Sequence, residues 1–181
     1  MAPWPDPFAM TTLIWFRNDL RVADNPALSA ACENGRVVAC FVISAEQWRS
    51  HDVGDRRLAF LGRSLNALSG ELAKLGIPLE IVDAPRFVDV PGALLALAKS
   101  LGVDRLVFNA EYPINEKRRD DAVRQTMAAN DIDVASAHGG VTLPPGMVVT
   151  KKATPYSVFS PFKRRWLERL QPDQSRPLPT P

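Results

Sequence analysis

Cysteine and histidine are scarce in this chain, with two of each in 181 residues. Cys32 and Cys40 stand in no CxxC or Cys/His spacing, and they fall in an expected helix and an expected buried strand. They read as small core residues in a reducing compartment, not as a disulfide framework or a zinc site. His51 and His138 have no nucleophile-elbow serine near them, so Ser-His-Asp catalysis is unsupported. A GxGxxG fingerprint and a GxxxxGK[ST] loop are both absent, which weakens dinucleotide and nucleoside-triphosphate readings. No apolar run approaches the ~20 residues that cross a bilayer, and the opening MAPWPDPFAM has three prolines and no basic segment. No membrane partner and a cytoplasmic location are therefore expected. Nor is either charge in excess: 22 Lys and Arg face 20 Asp and Glu, a net +2, which is no nucleic-acid footprint.

What is present is 46% apolar residues, enough for one substantial core. Residues 1–9 carry no periodic pattern and are expected to be a disordered extension, with Met10 a candidate alternative start. Leu13 to Phe16 suits a buried strand. Asn25 is a good N-cap and Pro26 occupies the first helical position, where its missing N–H costs nothing. A short helix over 26–33, closed by Asn34-Gly35, precedes the apolar strand 36–43. A long helix over 54–75 follows, with Leu58, Leu61, Leu65, Leu68, Leu72 and Leu75 at steps of three and four, a stripe that reads as packing. Strands at 78–82, 105–109 and 133–137 alternate with helices at 90–101 and 114–130. Five strands and four helices predict an α/β fold over 10–140: a Rossmann-like open five-stranded parallel sheet with helices on both faces. Residues 141–170 form a trailing segment with one more helix from Ser160. Residues 171–181 have the proline-rich composition of an extended linker.

In an open α/β sheet, ligands gather beyond the carboxyl ends of the strands. That rule selects Arg17, Asp19 and Arg21 after the first strand; Ser44, Gln47, Trp48 and His51 after the second; and Glu111, Tyr112, Asn115 and Glu116 after the fourth. A carboxylate at Glu116 is favoured by the helix dipole and can accept two parallel hydrogen bonds, as from the amino group and ring N–H of a pterin or guanine edge. The pattern leaves two readings open for Glu116, ligand acceptor or helix cap beside Lys117, Arg118 and Arg119. His51 is likewise a ligand contact or a hydrogen-bonded loop residue, and Trp48 reads as partly buried packing. Lys163-Arg164-Arg165, set between Phe162 and Trp166, reads as a solvated helix face with Phe159, Phe162 and Trp166 packing on the sheet domain or on a missing partner, with weak, salt-sensitive DNA binding at most.

Four separated segments resemble the DNA photolyase/cryptochrome family: WFRNDLR…DN at 15–25, QWRSH at 47–51, EYPINEKRRD at 111–120, and LPPG…PYSVFSPFKRRWLERL at 143–170. The likeness runs from about 10 to 170 and is greatest to class I cyclobutane pyrimidine dimer photolyases of the folate type. It implies an N-terminal antenna domain that holds a light-harvesting pterin against a second, helical domain. By this resemblance Asn115 and Glu116 match the pair that hydrogen-bonds the pterin of 5,10-methenyltetrahydrofolate, and His51 matches another residue near it. Other members use a deazaflavin or flavin antenna. FAD, the tryptophan relay and the dimer pocket belong to the family's helical domain, which implies no catalytic residue and no metal in this chain. The tail would then be a linker to that FAD-binding domain. UV-damaged DNA would be met only through a full-length deoxyribodipyrimidine photo-lyase, and this chain alone would not repair. A cryptochrome-like blue-light photoreceptor domain and a stand-alone nucleotide-binding module are the competing readings.

Overall fold

The computed structural model describes residues 10–181, so the expected extension over 1–9 lies outside the described residues. Five parallel strands, β1 (Thr11–Phe16), β2 (Arg36–Ile43), β3 (Leu79–Asp83), β4 (Arg105–Asn109) and β5 (Asp133–Ala137), lie in the order β3-β2-β1-β4-β5. The chain builds outward from β1 to β3, then crosses back to place β4 on β1's other side. The crevice at that reversal, beyond the carboxyl ends of β1 and β4, is where such sheets bind ligands. All six residues of β1 are buried, as befits a central strand covered on both faces.

The period-two alternation of the strands divides the core. One layer gathers Leu13, Trp15, Val38, Cys40, Leu106 and Phe108 under the helices α4 (Val90–Leu101) and α5 (Ile114–Ala128). The other gathers Ile14, Phe16, Ala39, Phe41 and Val107 under α1 (Pro26–Ala31) and α3 (Asp55–Lys74). Burial pushes both cysteine thiols above their usual range, Cys40 much further than Cys32, which suits inert core residues.

Local chemistry explains most boundaries. Asn25 caps α1 by accepting from the Leu28 N–H at 3.1 Å. That helix stops at Ala31, short of the expected Glu33, because the Cys32 N–H is shared between the carbonyls of Leu28 and Ser29 and the turn tightens. Gly35 then takes φ +77°, and a Cβ there would lie 2.0 Å from the Met10 carbonyl oxygen, which accepts from the Arg36 N–H. Gly102, left-handed, ends α4.

One expectation needs correction. A short helix, α2 (Ala45–Ser50), occupies what read as a loop, and it carries Gln47 and Trp48, with His51 capping its end. The leucine stripe of α3 does pack: Leu68 and Leu72 are fully buried in the second core layer and half-buried Leu61, Leu65 and Leu75 lie against it, whereas half-buried Leu58 lines a cavity. A 20-residue helix is ~30 Å long, whereas strands of five to eight residues span ~17–27 Å, so the first turns of α3 overhang the carboxyl edge of the sheet. The tail makes a 3₁₀ turn over Pro172–Ser175, and Leu178 exchanges hydrogen bonds with Asp24 at 2.9 and 3.2 Å.

The trailing helix α6 (Phe159–Arg169) buries no residue fully. Phe162 and Trp166 are half-buried, whereas Lys163 and Arg164 are exposed as expected for a solvated face. Phe159 is also exposed, its ring centre 6.5 Å from that of Phe162.

Candidate functional site

A cavity of about 480 Å³ opens at the carboxyl ends of the sheet, with walls from α2, α3 and the start of α5. Its volume falls in the range of small-molecule sites. Its floor and its rim differ in kind.

The floor begins with Arg17, which follows the last residue of β1. The guanidinium is buried and pairs with Asp120 of α5 at 3.3 Å. Arg119 pairs with the same Asp120 at 2.9 Å and with Glu111 at 2.8 Å, and Glu111 also accepts from the Asn18 amide. Aromatic faces complete the enclosure: Arg17 lies 4.4 Å from the Trp15 ring centre and 4.6 Å from that of Phe108, and Arg119 stacks on Trp15 and Phe87. Two of Arg17's nitrogens and the Trp15 indole N–H have no hydrogen-bond partner among the described residues. Burial holds Arg17 below the usual arginine range although Asp120 and Glu111 oppose the shift. Burial also raises Asp120, and its two arginines only partly reverse that, so its carboxyl stays above the ordinary aspartate range. For Glu111, burial pushes upward, but Arg17, Arg119 and Asn18 prevail and hold it below the ordinary glutamate range.

The loop after β1 is tied down next to this floor. Asp19 accepts from the Arg17 N–H at 2.8 Å and from the Asn109 amide at 2.6 Å, and Arg21 donates to the Asp24 and Gly139 carbonyls at 2.7 and 2.9 Å. A Cβ at Gly139 would meet the Asn109 side chain at 2.6 Å, so this crossing of chains needs glycine. The arginines and aspartate of the opening signature knit loops together.

The rim carries the residues singled out from sequence. His51, Asn115 and Glu116 all line this one cavity, although His51 comes from the β2 side and the other two from α5. The Asn115 amide nitrogen lies 3.2 Å from His51 Nε2, and His51 Nδ1 lies 2.9 Å from the Gln47 carbonyl oxygen. Nδ1 also lies 3.0 Å from Ser50 Oγ and 3.3 Å from the Gln47 amide nitrogen; because its shortest contact is to a carbonyl, which only accepts, we assign the proton to Nδ1 and let Nε2 accept from Asn115. That assignment leaves the Asn115 Oδ1 unengaged. Glu116, at the third position of α5, has no hydrogen-bond or ion-pair partner among the described residues, and no side chain caps this helix. The cap reading of Glu116 therefore has no counterpart in the contacts. Two acceptors, an amide oxygen and a carboxylate, stand side by side at a positive helix end. Trp48 packs on Phe41 with 6.4 Å between ring centres, as expected, and also walls the cavity.

Sequence reasoning missed Arg57, Phe60 and Leu61 of α3, and Arg119 and Phe87. Arg119 had one usable signal, its place eight residues after Glu111 on a helix that folds back over the floor. The α3 residues had none, because their spacing is that of ordinary packing. Among the described residues no group of His, Cys, Asp and Glu could hold a metal ion, and no helix is long and apolar enough to cross a membrane.

A family model described as DNA photolyase matches residues 12–181. The deoxyribodipyrimidine photo-lyase of Salmonella typhimurium is 38% identical over 173 residues, covering 94% of this chain and 36% of that protein. Cryptochrome-1 of Arabidopsis thaliana is 33% identical over 168 residues, with 93% and 24% covered. Among solved structures, a class III photolyase from Agrobacterium tumefaciens superposes with a TM-score of 0.77 at 28% identity, covering 100% of this chain and 36% of that one. The chain thus spans about a third of the length of the photo-lyases it matches.

Proposed function

Because the chain belongs to the DNA photolyase family, we propose that it is the antenna domain of a deoxyribodipyrimidine photo-lyase. In this reading a longer protein carries FAD in a helical domain and repairs pyrimidine dimers in UV-damaged DNA, and the present domain holds 5,10-methenyltetrahydrofolate. The photo-lyase relative at 38% identity against the cryptochrome at 33% supports repair over photoreception.

The observation that carries the folate assignment is the unpaired acceptor set at the rim. Asn115 Oδ1 and the Glu116 carboxylate match the two parallel donors of a pterin edge, and His51 orients Asn115 by accepting from its amide nitrogen. When bound, the pterin absorbs light and passes the excitation on; the protein supplies position and dryness. Trp48, Phe60 and Leu61 give one wall an apolar surface, and the floor's ion pairs fix where α5 begins. No acid, base or nucleophile is required of these residues.

Titration of this chain with methenyltetrahydrofolate, followed by its absorbance, tests the proposal. Glu116→Gln removes a charge-assisted acceptor, and since such bonds contribute about 1.5–3 kcal/mol, affinity should fall at least tenfold. The melting temperature should not move. Equal affinity in the variant, or preferential uptake of a deazaflavin or flavin by the wild type, would reject the folate assignment.

A further inference from the structure

The charged side chains around the cavity form two sets. Arg17, Glu111 and Arg119 are bound up with one another and with Asp120. Glu116 and Arg57 line the same cavity and have no ion-pair or hydrogen-bond partner among the described residues, not even each other. The rest of the wall given by α2 and α3 is uncharged and mostly aromatic or aliphatic, with Trp48, Leu58, Phe60 and Leu61 beside the polar Gln47 and Ser64. One free carboxylate, one free guanidinium and an apolar wall define a ligand with a donor edge, an aromatic or aliphatic body and an anionic end.

Resting on the folate reading above, we propose that Arg57 determines specificity by binding a carboxylate of the chromophore's glutamyl tail while Glu116 holds the pterin edge. A guanidinium presents two parallel N–H donors that match a carboxylate, a geometry an ammonium or amide does not reproduce. Arg57 is the third residue of α3, where the positive end of a 20-residue helix adds to the attraction; Asp55, two residues earlier, counts against it. Arg56 and Arg63, also exposed on α3, raise the local positive potential but do not line the cavity. The arrangement favours a chromophore with an anionic tail over one with a neutral tail, which would leave Arg57 to water.

The test titrates the wild-type chain and its Arg57→Gln, Arg56→Gln and Glu116→Gln variants with two ligands. One is methenyltetrahydrofolate with its single glutamate, and the other is the same compound with both tail carboxylates converted to amides. Arg57 is exposed in the free protein, so the expected loss in Arg57→Gln is about three- to tenfold for the glutamate form and under about 1.5-fold for the amide. Arg56→Gln removes the same charge and should leave the ratio between the two ligands intact. Glu116→Gln should weaken both ligands alike. If Arg57→Gln weakens both ligands equally or neither, or if Arg56→Gln matches its effect, the role of Arg57 is refuted while the Glu116 result stands. If the wild type binds neither ligand, or Glu116→Gln has no effect, the folate reading itself fails and Arg57 falls with it.

Discussion

On the floor of the cavity Arg17, Glu111, Arg119 and Asp120 answer one another at 2.8–3.3 Å, whereas on its rim Glu116 and Arg57 answer nothing and His51 is tied only to Asn115 and to its own helix. The same residue types serve two purposes, and burial separates them. A charge shut away from water must be neutralised within the fold, or folding pays for it. A charge left half in water is already solvated and can exchange that water for a ligand. Burial accordingly displaces the titration of Arg17, Glu111 and Asp120 on the floor, where the charges serve the scaffold.

Asp120→Ala tests this contrast most severely. It strips Arg17 of its one ion-pair partner among the described residues and leaves a guanidinium whose residue is only 6% exposed. Removing one member of a buried pair costs about 3–5 kcal/mol, and urea unfolding of the variant should show a loss of that size. Replacing both members together, Arg17→Met with Asp120→Leu, removes the uncompensated charge and should recover most of the loss. Glu116→Gln on the rim should stay within about 0.5 kcal/mol of wild type. A loss below about 1 kcal/mol for Asp120→Ala would mean that the floor charges are not structural.

Helix α3 repeats the contrast in apolar form, and a smaller effect should resolve it. Leu72, fully buried, should cost about 2–5 kcal/mol on conversion to alanine. Leu58, half-buried on the cavity wall, should cost about 1 kcal/mol, since much of its surface already faces open space. Thermal melts of the two variants compare the helix's two ends directly, and equal losses would show that its first turns pack as firmly as its last.

Those two leucines also show where reading the chain succeeds and where it stops. Apolar runs closed by Asn, Gly or Pro placed β2, α4, β4 and β5 at the bounds the structure has, because strand and helix ends are set by local chemistry. The period of α3 was equally plain, but a stripe of leucines reports which face turns inward and not whether anything fills the space beneath it. Helix α2 escaped notice because six residues are too few for a period to emerge. The rule that ligands sit at strand carboxyl ends brought His51, Asn115 and Glu116 into view, and the structure sets all three around one cavity. Arg57 stayed hidden since the cavity it lines is made by the fold, and Arg119 since the aromatic rings it stacks on, Trp15 and Phe87, come from distant parts of the sequence.

Acidification gives the finest test of the floor. Glu111 has its folded pKa depressed, so its contribution to stability is in place above the ordinary glutamate value of 4.5 and is lost as pH falls through the lower folded value. Asp120 runs the other way. Its pKa is raised, so its contribution is complete below the ordinary aspartate value of 3.8 and is lost as pH rises through the folded value. At neutral pH the ionised Asp120 thus contributes less than its protonated form would, whereas the ionised Glu111 contributes more than its protonated form. Between pH 7 and 5 the stability gap between wild type and Glu111→Gln should be constant. Below about pH 4.5 it should narrow as Glu111 takes up a proton, with the two chains converging at the acid end. Urea midpoints measured at half-unit steps would follow this, and a gap that widened on acidification would mean that burial, not its arginines, dominates the Glu111 carboxyl.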